Sequence, residues 1–343
     1  MSFGPLSIPS IVFGTSCLGN LYAALSDDVK LDICREWFRQ VSPPVVLDTA
    51  GKYGAGLALE QLGRCLRALE IPPEHVIISN KLGWKRTPLT GPEPTFEPGV
   101  WVEVAHDAKQ CISYEGMFAC WHEGVELLGE QYAPKLVSVH DPDEYLASAT
   151  SPGARAERFA EIVDAYRALH QLKQGGLAAA IGVGAKDWRV IREIQQAIPL
   201  DWVMLASSLT ILRHPPELVA YLEELHRRGI VVINSAVFHA GFLAGGQYFD
   251  YRRLEPDTEE GRRLLAWRDA FDALCRHYGI SPAAACVQFA LSPPGVAAVA
   301  LNTSRPERVA ENVAAVQAAV PEGFWDEAKK LGLIEQDYAH VGG

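Results

Sequence analysis

Four side chains that could move a proton come just after three short apolar runs of this sequence. They are a carboxylate and a phenol after one run, an ammonium after the next and an imidazole after a third: Asp48, Tyr53, Lys81 and His140. A phenol can act as a general acid or base where a nearby cation lowers its pKa, and a carboxylate can hold that cation. An imidazole can orient a substrate oxygen. Each residue alone has an ordinary structural role, but the four types together predict proton exchange with a small molecule.

These side chains can meet only if the runs before them end at one edge of a common sheet. Eight apolar runs recur along the chain, at 11–13, 45–47, 76–78, 136–139, 179–183, 202–205, 230–233 and 296–301. Continuous apolar runs are typical of strands buried on both faces of a parallel sheet, and amphipathic helical patterns separate them here. We therefore predict an α/β fold, a (β/α)8 TIM barrel in which residues 1–343 form one domain. The active site of such a barrel lies where its strands end.

Two intervals between strands are longer than the rest, 83–114 after the third strand and 239–261 after the seventh. Long loops in a compact domain are usually lids or binding loops, and we predict that these two frame the barrel mouth. Two helix starts are also predicted. Ser281 stands before a proline as an N-cap, and Ser304 has the spacing of a capping box with Glu307.

Charge and composition exclude several classes of protein. Apolar residues make up 48% of the chain, as in a globular protein with a large core, and the formal net charge of −11 disfavours nucleic-acid and membrane-surface binding. No apolar run approaches the ~18 residues of a membrane span, and the first residues lack a leader pattern, so a cytoplasmic protein is expected. Seven scattered cysteines without a CxxC pair indicate reduced thiols, and the spacing of His106, Asp107 and His122 does not predict a metal site.

The segment 48–54 reads Asp-Thr-Ala-Gly-Lys-Tyr-Gly and resembles the Asp-Thr-Ala-x-x-Tyr-Gly motif of the aldo-keto reductase family. The resemblance covers nearly the whole chain and includes the segments 80–81, 139–141 and 308–312. Within the family, the sequence is similar to the branch that contains L-fucose or D-threo-aldose 1-dehydrogenases, L-galactose dehydrogenase and pyridoxal 4-dehydrogenase.

The resemblance implies an NAD(P)-dependent oxidoreductase of carbohydrate metabolism that oxidises the anomeric hydroxyl of an aldose to the lactone. Tyr53 would exchange a proton with the substrate oxygen, Lys81 would lower the pKa of that phenol, and Asp48 would hold Lys81. His140 would orient the same oxygen while the nicotinamide accepts or delivers hydride. The alternatives are a general aldehyde or ketone reductase, a pyridoxal 4-dehydrogenase, and a non-catalytic nucleotide sensor like the potassium-channel β subunits. A Schiff-base aldolase that uses Lys81 is a further alternative.

The resemblance also implies where an extended nicotinamide nucleotide would bind. The carboxamide, the pyrophosphate and the adenosine would be held, in that order, by Gly184, Ala185, Ser235, Ala236, Val237, Gly241, Leu243, Asn302, Thr303, Arg308, Glu311 and Asn312. The sequence departs from the family pattern at two places in this predicted site. The more typical Ser-Asn pair at the carboxamide is Gly184-Ala185 here, and Ser207-Ser208-Leu209 follows the sixth strand, where many relatives carry an aromatic residue that stacks on the ring.

The choice between NAD and NADP depends on the residues after the eighth strand. In NADP-preferring relatives a lysine at this point and an arginine six residues later clamp the 2′-phosphate. Asn302 replaces the lysine, so we predict a preference for NAD, with NADP tolerated through Arg305 and Arg308.

The substrate is expected to be a small sugar or aldehyde, and the oligomeric state is left open. Aromatic rings stack on sugar C–H faces and on pyridine rings alike. Four aromatic residues are therefore substrate-binding candidates, each with packing under a loop as an equal alternative: Tyr22, Trp84, Phe118 and Trp121.

Overall fold

The structure, a computed structural model, describes residues 8–250 and 252–342. Within these residues, eight parallel strands close into a barrel, and four further strands form two antiparallel hairpins outside it. The strands are β1 (Ile11–Gly14), β2 (Val45–Ala50), β3 (Val76–Leu82), β4 (Trp84–Pro88), β5 (His106–Gln110), β6 (Leu136–His140), β7 (Ala180–Ala185), β8 (Trp202–Ala206), β9 (Val231–Ser235), β10 (Tyr248–Phe249), β11 (Arg252–Arg253) and β12 (Val296–Leu301). The barrel order is β1-β12-β9-β8-β7-β6-β3-β2.

The predicted TIM barrel is confirmed, and all eight apolar runs coincide with its strands. Several strands continue beyond their apolar runs, because polar residues of the site lie within the strands themselves: Asp48 in β2, Lys81 in β3 and His140 in β6. The parallel register places Ala50 beside Lys81 and His140 beside Gly184. Neighbouring strands therefore deliver these side chains to one end of the barrel.

Helices cover the outside of the barrel. They are α1 (Asp27–Gln40), α2 (Leu57–Ala68), α3 (Tyr114–Leu128), α4 (Pro142–Ala147), α5 (Pro152–Gln174), α6 (Trp188–Ala197), α7 (Pro216–Arg227), α8 (Glu259–Tyr278), α9 (Pro282–Leu291), α10 (Arg308–Gln317) and α11 (Phe324–Lys330). None of the described helices is long and apolar enough to cross a bilayer. All seven cysteines are free thiols.

The two predicted helix starts have different outcomes. The Ser281 hydroxyl accepts from the amide of Ala284, with a proline at the first helical position, so this N-cap is confirmed. The capping box at Ser304 is wrong, because α10 begins only at Arg308. The residues before it form turns instead, since the Thr303 hydroxyl accepts from the amide of Arg305.

The barrel interior is filled below the site. Trp202 lies fully buried among apolar side chains from the other strands. Gly182 on the adjacent strand makes room for it, because a Cβ atom there would lie 2.2 Å from the indole ring. The floor is thus a packed core, and chemistry is confined to the mouth at the carboxyl ends of the strands.

Both long intervals lie at this mouth. The first insertion, residues 83–113, contains the β4–β5 hairpin and returns to the barrel at α3. The second insertion, residues 236–258, contains the β10–β11 hairpin and leads into α8. The stacked rings of Tyr22, after β1, and Tyr248, in β10, lie 5.5 Å apart between centroids, so the second insertion reaches the loop after β1.

Candidate active site

A buried ion pair joins the ends of β2 and β3. The Lys81 ammonium donates a hydrogen bond to Oδ2 of Asp48, and both side chains are almost completely buried. The hydroxyl of Ser79, two residues before Lys81 on the same face of β3, donates to Oδ1 of the carboxylate at 3.1 Å. Asp48 is therefore fixed by two partners and fixes Lys81 in turn. The contact of Ser79 was not predicted, although its period-two spacing from Lys81 on β3 was a signal.

Tyr53 lies in the turn that follows β2. Its backbone is held by the close approach of Gly19 and Gly54, since a Cβ atom at position 54 would lie 2.4 Å from the Gly19 carbonyl oxygen. The Lys81 ammonium lies 4.9 Å from the centroid of the Tyr53 ring, and the His140 ring meets it edge-on with centroids 5.6 Å apart. The structure thus brings the four predicted side chains together.

Two opposing effects act on the Tyr53 phenol. Burial raises its pKa, and the Lys81 ammonium lowers it, with burial outweighing the ammonium. The predicted lowering by Lys81 is present, but the net pKa lies above the ordinary value of the phenol because burial has the larger effect. Burial also opposes the charge on Lys81, but Asp48 and Tyr53 hold the pKa of this ammonium above its usual range. The site consists of a neutral phenol beside a permanent cation.

His140 ends β6 and is uncharged at neutral pH. Burial lowers its pKa to about 3, against the pull of the neighbouring Asp141 carboxylate. Its Nε2 atom lies 3.6 Å from Oδ2 of Asp141, while Nδ1 is buried and has no hydrogen-bond partner among the described residues. A neutral imidazole at this point can position a substrate oxygen without contributing charge.

The first insertion, which was predicted to frame the mouth, supplies a wall of aromatic residues that were not predicted individually. The ring centroids of Trp101 and Tyr53 lie 5.8 Å apart, and Phe96 packs behind Trp101. Hydrogen bonds between the backbones of Tyr22 and Val100, at 2.8 Å, and of Val102 and Asn20, at 3.1 Å, tie the insertion to the loop after β1. Trp101 lies in a proline-rich loop of the sequence. Because it is far from Tyr53 along the chain, the contact between the two rings could not be predicted.

The four predicted substrate-binding aromatics separate into two pairs. Tyr22 stands at the mouth, half-exposed, and Trp84 begins β4 with its ring 5.6 Å from that of Phe96. Phe118 and Trp121 are not brought to the tetrad. They belong to α3, where Phe118 packs on Tyr114 and Trp121 is buried in the core between α3 and the barrel. Both residues lie on the side of α3 that packs against the core, which explains their distance from the mouth.

The carboxamide end of the predicted cofactor site is shaped by Lys81. Gly184 and Ala185 end β7 and are buried, and a Cβ atom at position 184 would lie 2.9 Å from Cδ of Lys81. The hydroxyl of Ser207, just after β8, is buried without a partner in the described chain. A polar ring substituent would satisfy that hydroxyl, so the residues present fit a nicotinamide amide.

The loop after β9 fits a pyrophosphate. The backbone amides of Val237, Phe238, Ala240 and Gly241 donate to no acceptor among the described residues, and the backbone adopts left-handed conformations at Ala240 and Gly241. Amides that point outward from such a loop form an anion-binding concavity. The other members predicted here, Ser235, Ala236 and Leu243, lie in or beside this loop.

The predicted adenosine segment follows β12. The side-chain amide of Asn302 donates to the Ser16 hydroxyl at 2.8 Å, so it faces the loop after β1. Thr303 lies in the turn before α10, whose first turns carry Arg308, Glu311 and Asn312. Arg308 and Glu311 are exposed, as a surface that contacts a nucleotide would require.

The closed parallel barrel, with ionisable side chains gathered at the mouth, is the architecture of a (β/α)8 barrel enzyme. This chain belongs to the Aldo/keto reductase family, whose sequence model matches residues 10–332.

Curated relatives are similar over almost their full length. Pyridoxal 4-dehydrogenase from Microbacterium luteolum is 26% identical over 350 residues, which cover 96% of this chain and 95% of that protein. D-threo-aldose 1-dehydrogenase from Pseudomonas sp is 27% identical over 342 residues, with 96% and 95% covered. L-galactose dehydrogenase from Arabidopsis thaliana is 22% identical over 341 residues, with 98% and 90% covered.

Solved structures share the fold. An aldo-keto reductase from Bacillus halodurans in its holo form superposes with a TM-score of 0.67 at 19% identity, covering 95% of this chain and 92% of that one. An aldo/keto reductase from Klebsiella pneumoniae in complex with NADP and acetate gives a TM-score of 0.62 at 15% identity, covering 98% and 95%.

Proposed function

We propose that this protein oxidises the anomeric hydroxyl of an aldose to the lactone with a nicotinamide nucleotide as hydride acceptor. The observation that carries the proposal is the Tyr53 phenol held between the Lys81 ammonium and the neutral His140 imidazole at the barrel mouth. The similarity to D-threo-aldose 1-dehydrogenase and L-galactose dehydrogenase supports the substrate class.

Each member of the tetrad has one task in this reaction. Oxidation uses the ionised form of Tyr53, which accepts the proton of the substrate hydroxyl and is stabilised by the adjacent Lys81 ammonium. Asp48 holds the ammonium in place, and His140 donates or accepts a hydrogen bond at the same substrate oxygen to orient it. A bound nicotinamide supplies the hydride acceptor. In the reverse reaction the neutral phenol returns the proton, so the same residues can reduce an aldehyde.

The wall formed by the first insertion suits a sugar. Trp101, which is 5% exposed, packs against Tyr53 and Phe96, and Trp84 packs on Phe96. Indole faces pack well on the C–H face of a pyranose. A pyridine ring would stack there equally well, and the similarity to pyridoxal 4-dehydrogenase makes oxidation of pyridoxal the second candidate.

The Lys81 environment argues against a Schiff-base aldolase. A nucleophilic lysine needs a neutral amine, which is usually obtained by desolvation or a neighbouring cation. Here the Asp48 carboxylate pairs with Lys81 and holds its pKa above the usual range. The ammonium therefore stays charged and suits the stabilisation of a phenolate.

The test is a substrate panel of aldoses, pyridoxal and simple aldehydes, assayed with oxidised and reduced NAD and NADP. We expect multiple turnovers with an aldose and an oxidised cofactor, with kcat/KM higher than for pyridoxal or for aldehyde reduction. A higher kcat/KM for pyridoxal would favour oxidation of pyridoxal, the second candidate. A higher kcat/KM for the reduction of aldehydes would favour a general reductase. Nucleotide binding without turnover on any substrate would contradict catalysis and favour a sensor.

The cofactor preference follows from Asn302, and we expect a higher kcat/KM with NAD than with NADP. Asn302→Lys should move the ratio toward NADP by about tenfold, or about 1.4 kcal/mol, because a second cation near Arg308 would pair with the 2′-phosphate. Asn302→Ala is the matched control, since it loses the bond to Ser16 without adding charge. A parent enzyme at least tenfold better with NADP would show that Arg305 and Arg308 already form the clamp.

A further inference from the structure

A lysine adjacent to the tetrad is buried without a role in the reaction described above. Lys52 directly precedes Tyr53 and is only 3% exposed. Its Nζ atom lies 2.7 Å from Oε1 of Glu97, 2.7 Å from Oδ2 of Asp141 and 3.2 Å from Oε2 of Glu144. Burial of an ion pair costs desolvation free energy, so such a cluster is weak evidence for stability and calls for another explanation.

The cluster joins three parts of the mouth. Lys52 comes from the turn after β2, Glu97 from the first insertion, and the other two carboxylates from the segment after β6. Lys186, after β7, adds a second ammonium 2.6 Å from Oε1 of Glu144. We call these five side chains the Lys52 cluster.

One arm of the Lys52 cluster reaches the imidazole. The Oδ2 atom of Asp141 that accepts from Lys52 also lies 3.6 Å from Nε2 of His140. An unpaired carboxylate at that distance would favour the imidazolium, whereas a carboxylate paired with an ammonium does so much less. The other charged or titratable groups that face His140 are Lys81 from β3, Tyr53 from the turn after β2, and Lys186 from the segment after β7.

The other arm reaches the substrate wall. The Oε2 atom of Glu97 accepts a hydrogen bond from the indole of Trp101 at 2.8 Å, and the Trp101 ring packs beside Tyr53. The Lys52 ammonium also lies 5.0 Å from the centroid of the Trp84 ring. One buried cation thus contacts both the carboxylate beside the imidazole and the insertion that forms the wall.

We propose that Lys52 is a positioning residue for the reaction. Through its ion pair with Asp141 it acts together with burial to keep the His140 imidazole uncharged. Through Glu97 it holds the Trp101 ring at the substrate wall. The inference rests on the proposed function, which takes His140 as the group that meets the substrate oxygen, but its first test needs neither substrate nor turnover.

That test follows the His140 ring by NMR in protein with ¹³C-labelled histidine, the signal being assigned by its loss in His140→Gln. We expect no titration between about pH 5 and 8 in the parent, and titration within that window in Lys52→Met, because Asp141 loses its counter-ion. Lys52→Arg should restore the parent behaviour, and so should Lys52→Met/Asp141→Asn, which removes the carboxylate as well. A folded Lys52→Met protein whose His140 does not titrate would overturn the proposal.

Two further variants guard against a merely structural effect. Lys173→Met removes another ammonium in an ion pair, with Asp201 before the amino end of β8, and should leave the His140 signal unchanged. If Lys52→Met does not fold, the double variant Lys52→Met/Glu97→Gln tests the same prediction, because it leaves one fewer unpaired carboxylate. Titration of His140 is again expected in this variant. Its absence there would equally refute the inference.

The second arm is tested kinetically on the proposed substrate. Glu97→Gln keeps the shape of the side chain but weakens its hold on both Lys52 and Trp101, so KM should rise by a larger factor than kcat falls. His140 should not titrate between about pH 5 and 8 in this variant, because Asp141 stays paired with Lys52. A fall in kcat with KM unchanged would overturn the role of Glu97. A parent inactive on all aldoses would refute the proposed function while the NMR result stands.

Discussion

Tyr53→Phe should lower kcat by about 10²- to 10⁴-fold and leave the Kd for the nucleotide largely unchanged, because the lost hydroxyl serves the substrate as acid and base. The ring itself stays, so its packing against Trp101 and His140 is retained. The measurement is steady-state turnover on the best substrate of the panel, together with nucleotide titration by fluorescence.

Tyr132→Phe is a matched control for the loss of a buried tyrosine hydroxyl. Tyr132 is almost completely buried, and its hydroxyl donates to the carbonyl of Ile71 at 2.7 Å. Its removal should cost stability but not the chemical step. Turnover by Tyr53→Phe close to that of the parent would show that another group transfers the proton.

Lys81→Met should reduce kcat and move the pH profile of oxidation to higher pH. The phenolate form of Tyr53 is the base in oxidation, so the rate rises as the pH passes through the pKa of the phenol. The ammonium lowers that pKa against the effect of burial, and its loss therefore shifts the rise upward. The measurement is kcat/KM for oxidation across the pH range, and an unchanged profile would give Lys81 another role.

The single variant also leaves the Asp48 carboxylate buried without its cation, and removal of one partner of a buried pair costs about 3–5 kcal/mol of stability. Lys81→Met/Asp48→Asn removes both charges and should recover much of the lost Tm. Because Asp48 raises the pKa of Tyr53, the double variant should show a smaller upward shift than Lys81→Met alone. Comparison of the two variants separates the effect on the phenol from damage to the fold.

The barrel and the tetrad were accessible from the sequence because both depend on local signals. Continuous apolar runs indicate buried parallel strands, and a polar residue where such a run ends must lie at the mouth. Asp48, Lys81 and His140 follow this rule, and Tyr53 lies in the first turn after β2.

Contacts made across the insertions could not be predicted in the same way. Trp101 and Glu97 reach the site through a folded loop whose path depends on tertiary packing, so no spacing in the sequence links them to Tyr53 or Lys52. Phe118 and Trp121 follow the same insertion in sequence, and the structure realises the packing alternative for both, because they pack against the core from α3. The net effect on the Tyr53 phenol was also out of reach, because burial is a property of the folded protein.

The glycine at position 184 limits how this enzyme could be redesigned. An attempt to graft a Ser-Asn pair here would place a Cβ atom 2.9 Å from Cδ of Lys81, so the aliphatic part of this side chain would have to shift while its ammonium stays paired with Asp48. Redesign of the proposed nicotinamide site could use neighbouring positions such as Ser207, whose buried hydroxyl has no hydrogen-bond partner in the described chain. Position 184 and the Lys81 side chain are thus coupled by packing, so that a larger residue at 184 would require a compensating change around Lys81.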